Sequence, residues 1–184
     1  KGISPYSAGA VALPGFAIEH ARLRVPIAVA AGFDAIDAHL RSLNRPRAAL
    51  CGIELRSPQP FTFQGFSDFN ARYVGILKSW DVLQDGLNPI ARTNMAPELG
   101  PPSEPCLFGF SYTVVAANAK PSFVVAGAGE LPEGSLDPHD VVRKGETTTE
   151  ALREKARFVM SLMDGRVRGL GVQWADVSQT NLFT

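Results

Sequence analysis

Apolar residues recur along this chain with two different spacings, and the switches between them mark out its elements. Short apolar stretches at Val11–Leu13 and Ala21–Val25 predict one or two short strands. Phe33, Ile36, Leu40 and Leu43 fall at i, i+3, i+7 and i+10, the stripe of a helix that Pro26 can open in its first turn and Asn44 to Pro46 terminate. Alternation returns at Ala49, Cys51, Ile53 and Leu55, a strand within Arg47–Arg56. After the breaker Ser57-Pro58-Gln59-Pro60, the residues Phe66, Phe69, Tyr73, Ile76, Leu77 and Trp80 predict a second helix over Ser67–Trp80. A short strand over Arg92–Ala96 and a Pro-rich loop over Pro97–Pro105 follow. Then comes the clearest strand, Cys106–Ala116, with Phe108, Phe110, Tyr112 and Val114 on one face.

The remainder replays an order already used once. Ser122–Gly127 reads as a strand, and Thr147-x-x-Glu150 has the spacing of a capping box. The helix it opens carries the stripe Leu152, Ala156, Val159, Met160 and Met163, with Asp164-Gly165 as its stop. Leu170, Val172 and Trp174 alternate as a last strand. The order is therefore β, α, β, α, β, β and then β, α, β. It predicts an α+β fold, a mostly mixed sheet with helices packed on one face. Residues 1–118 form one domain in this reading, and 119–184 a partial β-α-β unit that extends it.

Composition narrows the function classes. Over 184 residues, 45% are hydrophobic and 20% charged, enough for a real core. Lys plus Arg equals Asp plus Glu, 18 of each, so the chain lacks the cationic surplus that a nucleic-acid partner requires. No apolar run approaches the roughly 18–20 residues needed to span a bilayer, so a membrane partner is not expected. Cys51 and Cys106 lack metal-type spacing and read as buried reduced thiols, with a disulfide between neighbouring strands as the alternative. His20, His39 and His139 are scattered, which gives no zinc pattern. The expectation is a cytoplasmic protein, with a processed leader ahead of Lys1 left open.

Three short motifs carry a family resemblance. Ser4-Pro5-Tyr6-Ser7 stands at the front with Val11 after it, and Pro89-Ile90-Ala91-Arg92-Thr93-Asn94 in the middle. Phe123 to Pro132 near the end reads Phe-Val-Val-Ala-Gly-Ala-Gly-Glu-Leu-Pro. With Phe66 to Tyr73 and Phe110 to Ala116, they resemble the RidA (YjgF-type) imine and enamine deaminases, as about one and a half eroded units. The resemblance implies a chorismate-mutase-like sheet and a homo-trimer or pseudo-trimer with small pockets between subunits. It also implies a deaminase that needs no cofactor and takes small carboxylate-bearing imines, enamines or aminomuconate-like compounds. In such a pocket an Arg binds the carboxylate, because a guanidinium offers a planar fork that an ammonium lacks. Hydrolysis to a ketone and ammonia then needs protonation and a positioned water.

Carried over residue by residue, the resemblance makes Arg92 the carboxylate ligand; the alternative is a structural Arg paired with Asp or Glu. Thr93 and Asn94 follow it in the same pocket, although Asn94 can equally cap the Pro-rich loop. Tyr6 can line the pocket through its hydroxyl or simply pack. Ala126 and Gly127 stand in the stretch where family members carry Ser-Gly-Gln, and a glycine there lets backbone N–H groups approach a ligand. Glu130 can serve as the acid–base group or remain a solvated turn carboxylate. Thr113 occupies the position of the water-positioning Glu in the closing strand, and a hydroxyl cannot hold charge near neutral pH. Glu98 and Glu104 are substitutes within loop reach, and Asp137-x-His139-Asp140 reads as a solvated turn.

These departures leave three readings. The chain is a deaminase, or a catalytically inactive small-metabolite-binding or partner-assembly module, or a sheet whose half-repeat has a structural role.

Overall fold

The computed structural model describes residues 6–117, 120–135 and 137–183. Ser4 and Pro5 of the opening motif, and Asn118 of the turn before Ser122, lie outside them. One compact unit runs to Ala126 and includes Phe183; the other is Gly127–Leu182.

In the first unit β1 (Gly9–Val11), β2 (Phe16–Ala28), α1 (Val29–Ser42), β3 (Leu50–Arg56), α2 (Phe63–Ser79), β4 (Ala91–Met95), β5 (Cys106–Val115) and β6 (Phe123–Val125) follow in order. Four strands form a mixed sheet in the order β2-β5-β3-β4, antiparallel except for the parallel pair β3–β4. β1 and β6 form a separate antiparallel ribbon. One apolar cluster joins Phe33, Ile36 and Leu40 of α1 and Phe69, Tyr73 and Leu77 of α2 to Ile53, Leu55, Leu107, Phe110 and Tyr112 of the sheet. Both helices therefore cover the same sheet face, and the fold is a mixed α+β arrangement. Gly32 lets α1 lie close, since a Cβ there would come within 2.7 Å of Leu107 Cβ.

The differences from the pattern have local causes. Pro26 does not open a helix but lies in β2, an edge strand, where a residue without an N–H breaks no ladder. β2 bulges there: Arg22 pairs with Gly109 and the next partners are Ile27 and Leu107. β3 skips the same residue, since Glu54 pairs with Gly109 and Leu55 with Leu107. Phe108 is thus the extra residue of β5, and its ring leaves the core face where Phe110 and Tyr112 remain. α2 starts before Ser67, because the Thr62 side chain accepts the Gly65 N–H at 3.0 Å and caps it.

In the second unit α3 (Thr149–Gly169) is capped by Thr148 and runs through Asp164-Gly165 without stopping. Arg143 holds its preceding loop by pairing with Glu146 at 2.6 Å and Glu154 at 2.9 Å. Residues 170–174 do not form the expected closing strand. Gly171 adopts a left-handed φ of 74°, and Trp174 begins a 3₁₀ turn with its Nε1–H donated to Asp164. The partial repeat is β-α without its last strand. Among the described residues no helix is long and apolar enough to cross a membrane.

Candidate functional site

β4 is the other edge of the sheet, parallel to β3, with Ile53 paired to Arg92 and Glu54 to Thr93. Alternation sends Arg92 and Asn94 toward α2, whereas Thr93 points to the opposite face with Glu54. The order apolar, Arg, Thr, Asn therefore separates residues that the motif reads as one group.

Arg92 sits against the rings of α2. Its guanidinium carbon is 4.6 Å from the Tyr73 centroid, 5.7 Å from Phe66 and 5.8 Å from Phe69. Nη2 donates to Asn70 Oδ1 at 2.7 Å. Nη1 is sealed from solvent and has no acceptor among the described residues. No carboxylate among them pairs with Arg92. Burial lowers its pKa, opposed by Tyr73 and Tyr6, and the group stays charged near neutrality. Tyr6 itself is 40% exposed. Burial pushes the Tyr73 phenol up to about 12, so it is a neutral hydrogen-bonding group there.

Asn94 completes the arrangement. Its Oδ1 accepts from Ser57 Oγ at 2.9 Å, and its Nδ2 is buried without an acceptor. Arg92 and Asn94 thus present two unsatisfied donors two residues apart on one strand face. Carboxylates accept through two oxygens and match that requirement. Asn94 also lines a cleft of about 350 Å³ with Ser57, Gln59, Phe61, Phe66 and Met95.

The other expected residues have contacts of their own. Thr113 is near the end of β5, where its Oγ1 accepts from Arg45 Nη2 and its carbonyl from Arg45 Nε, each at 2.9 Å. Ala126 is buried and donates its N–H to Ala8 O at 3.1 Å, continuing the β1–β6 ribbon. Gly127 and Glu130 belong to the second unit; the Gly127 carbonyl accepts from Arg166 Nη1 at 2.7 Å and that of Glu130 from Val142 N–H at 2.9 Å. His139 and Asp137 pair at 2.7 Å in an exposed turn. Both cysteines are free and buried. Among the described residues no three His, Cys, Asp or Glu side chains are grouped to hold a metal.

Pattern reading missed Asn70, Tyr73 and Ser57. Asn70 and Tyr73 are three apart on a helix, and the Phe66 to Tyr73 motif that contains both gives neither a role in the site. A polar residue inside that apolar stripe was the available signal for Asn70. The opposite sheet face carries a second polar group. His20 places Nδ1 3.2 Å from Ser111 Oγ and Nε2 3.6 Å from Glu54 Oε1, while Arg22 and Arg56 lie 4.4 and 4.0 Å from the Phe108 centroid.

Comparison with known proteins supplies the family. Over residues 1–184 the chain matches the family described as 2-aminomuconate deaminase CnbZ. It is 46% identical over 182 residues to a 2-amino-5-chloromuconate deaminase of Comamonas testosteroni, covering 97% of this chain and 72% of the relative. No solved structure matches it. A family match along the whole chain, together with this identity, makes the chain a member of the CnbZ family of 2-aminomuconate deaminases.

Proposed function

We propose that the protein is a deaminase of aminomuconate-like enamines and imines, in which Arg92 binds a substrate carboxylate and Asn94 assists. The observation that carries this reading is the buried, unsatisfied Nη1 of Arg92, a cation with which no carboxylate among the described residues pairs. A largely buried cation without a counter-ion is costly, and a carboxylate that meets both Nη1 and Asn94 Nδ2 removes that cost. The relative's activity on an aminochloromuconate supports the same substrate class.

The chemistry follows from the substrate. Protonation of the enamine carbon gives an iminium, water adds to its C=N carbon, and ammonia leaves as the ketone forms and the proton is returned. Arg92 supplies charge and orientation in these steps. Tyr73 flanks it, and no step is routed through Glu130 or through Thr113, which is tied to Arg45. The RidA-like architecture, with helices on one face of a mixed sheet and a trimeric assembly, belongs to the same proposal; its support is the Ile90-Ala91-Arg92-Thr93 strand beside a helix-covered sheet.

The test is ammonia release from a 2-aminomuconate-type enamine. Arg92→Ala is expected to lower kcat/KM on the order of 100-fold, the loss of a two-point charged hydrogen bond. A folded Arg92→Ala protein with undiminished turnover would refute the assignment. One observation favours a second reading, binding without turnover. Thr113 is tied to Arg45 and supplies no acid or base, so a folded wild type that binds carboxylates and releases no ammonia would establish that reading.

A further inference from the structure

Phe66 belongs to two structures at once. It is one of the rings around the Arg92 guanidinium, at 5.7 Å, and it is a wall of the cleft that Asn94 lines. The same wall contains Phe61, whose centroid is 6.4 Å from Phe66 and 5.3 Å from Phe69, and Phe63. Phe63 is 41% exposed, an apolar ring in the first turn of α2 that the fold itself does not bury. Gln59, exposed, also lines the cleft, and about 350 Å³ is of the size that takes small organic ligands.

We propose that this cleft is the carbon-chain subsite for a planar, conjugated dicarboxylate, and that Phe61, Phe63 and Phe66 set the specificity. The proposal rests on Arg92 as the carboxylate anchor. One carboxylate meets Arg92 and Asn94, the unsaturated chain lies against the rings, and the second carboxylate reaches Gln59 and solvent. A conjugated chain is flat and presents a π face suited to offset stacking. A saturated chain of the same length and charge has no such face and loses rotamer freedom on entry.

The comparison that tests this is cis,cis-muconate against adipate, two dicarboxylates of one length that differ in conjugation, titrated calorimetrically into the full chain. Muconate is expected to bind about tenfold more tightly, the size of one good aromatic contact plus saved rotors. Phe63→Ala removes an exposed ring, so it leaves Tm nearly unchanged while reducing the ratio to about twofold. Phe61→Leu, which keeps apolar bulk against the core, reduces it in the same direction. Equal affinities in the wild type, or a ratio unchanged in both variants, would overturn the subsite. Arg92→Ala separates the two ideas. If it abolishes binding of both ligands, the anchor stands whatever the ratio shows; if both bind it as they bind the wild type, anchor and subsite fail together.

Discussion

Arg92 holds its charge against three rings and one amide rather than an acid, and this makes it sensitive to the shape of its replacement. Lysine keeps the charge but concentrates it on one nitrogen, which cannot both donate to Asn70 Oδ1 and present a planar edge to a carboxylate. Arg92→Lys is expected to recover less than a tenth of wild-type kcat/KM, read from the same ammonia assay. Asp37 shows the opposite case, a charge fully answered by the fold. Arg47 donates to its two oxygens at 2.8 and 3.1 Å, and Arg41 lies at 3.3 Å. The Arg47 hydrogen bonds hold the Asp37 carboxyl below its ordinary value, with burial opposing. The stability this supplies is present above about pH 4 and is lost as pH falls through the lowered pKa. Arg47→Gln should therefore lower Tm near neutrality and leave it almost unchanged in strong acid, as thermal melts across pH would show. Arg92 was legible because its motif stands at a strand start. Its partners Asn70, Tyr73 and Ser57 were not, since contacts between a helix, an edge strand and a loop leave no spacing in the chain.

At the scale of elements, β5 shows why alternation was read correctly and still misplaced one ring. Phe108, Phe110 and Tyr112 keep the period of a strand, yet Phe108 has no paired partner on either neighbouring strand. A bulge is set by pairing with two other strands, and a single run of residues does not encode it. One residue further on, Gly109 lets the His20 imidazole cross the central strand toward Glu54. A Cβ there would come within 3.0 Å of Ala21 O and 3.1 Å of His20 Cε1. Gly109→Ala is expected to destabilise the protein by about 1–3 kcal/mol, the usual cost of overpacking, measurable by urea unfolding. The α2 cap is a second element-level device. Thr62→Ala removes the acceptor for Gly65 N–H and should cost about 1 kcal/mol, read as a lower Tm. The cap escaped the pattern because Phe61 to Gly65 lie ahead of the stripe that defines the helix.

The whole molecule was read as two successive portions, and the strand Phe123–Val125 bears on where a cut between them is tolerated. It pairs with Gly9–Val11, so residues on both sides of the turn before Ser122 belong to one ribbon. A chain ending at residue 126 keeps that ribbon, and one ending at 118 loses it. The longer fragment is expected to melt at the higher temperature, and circular dichroism of the two would decide it. The order of strands and helices in the first unit was legible because buried helices and strands impose their periods on the sequence. The closing strand expected after α3 does not form, because three alternating apolar residues also suit a turn braced by Trp174 and Asp164.

The guanidinium of Arg92 finally connects chemistry with the amount of protein a cell keeps. Because no described residue gives Nη1 an anion, the carboxylate proposed for it would complete the interior as well as being processed there. Occupancy then adds RT ln(1 + [L]/Kd) to stability, roughly 2.7 kcal/mol at a hundredfold excess over Kd. Newly made chains that meet their metabolite would then resist proteolysis longer than chains that do not. Abundance would then follow supply of the compound after synthesis, with no transcriptional signal needed.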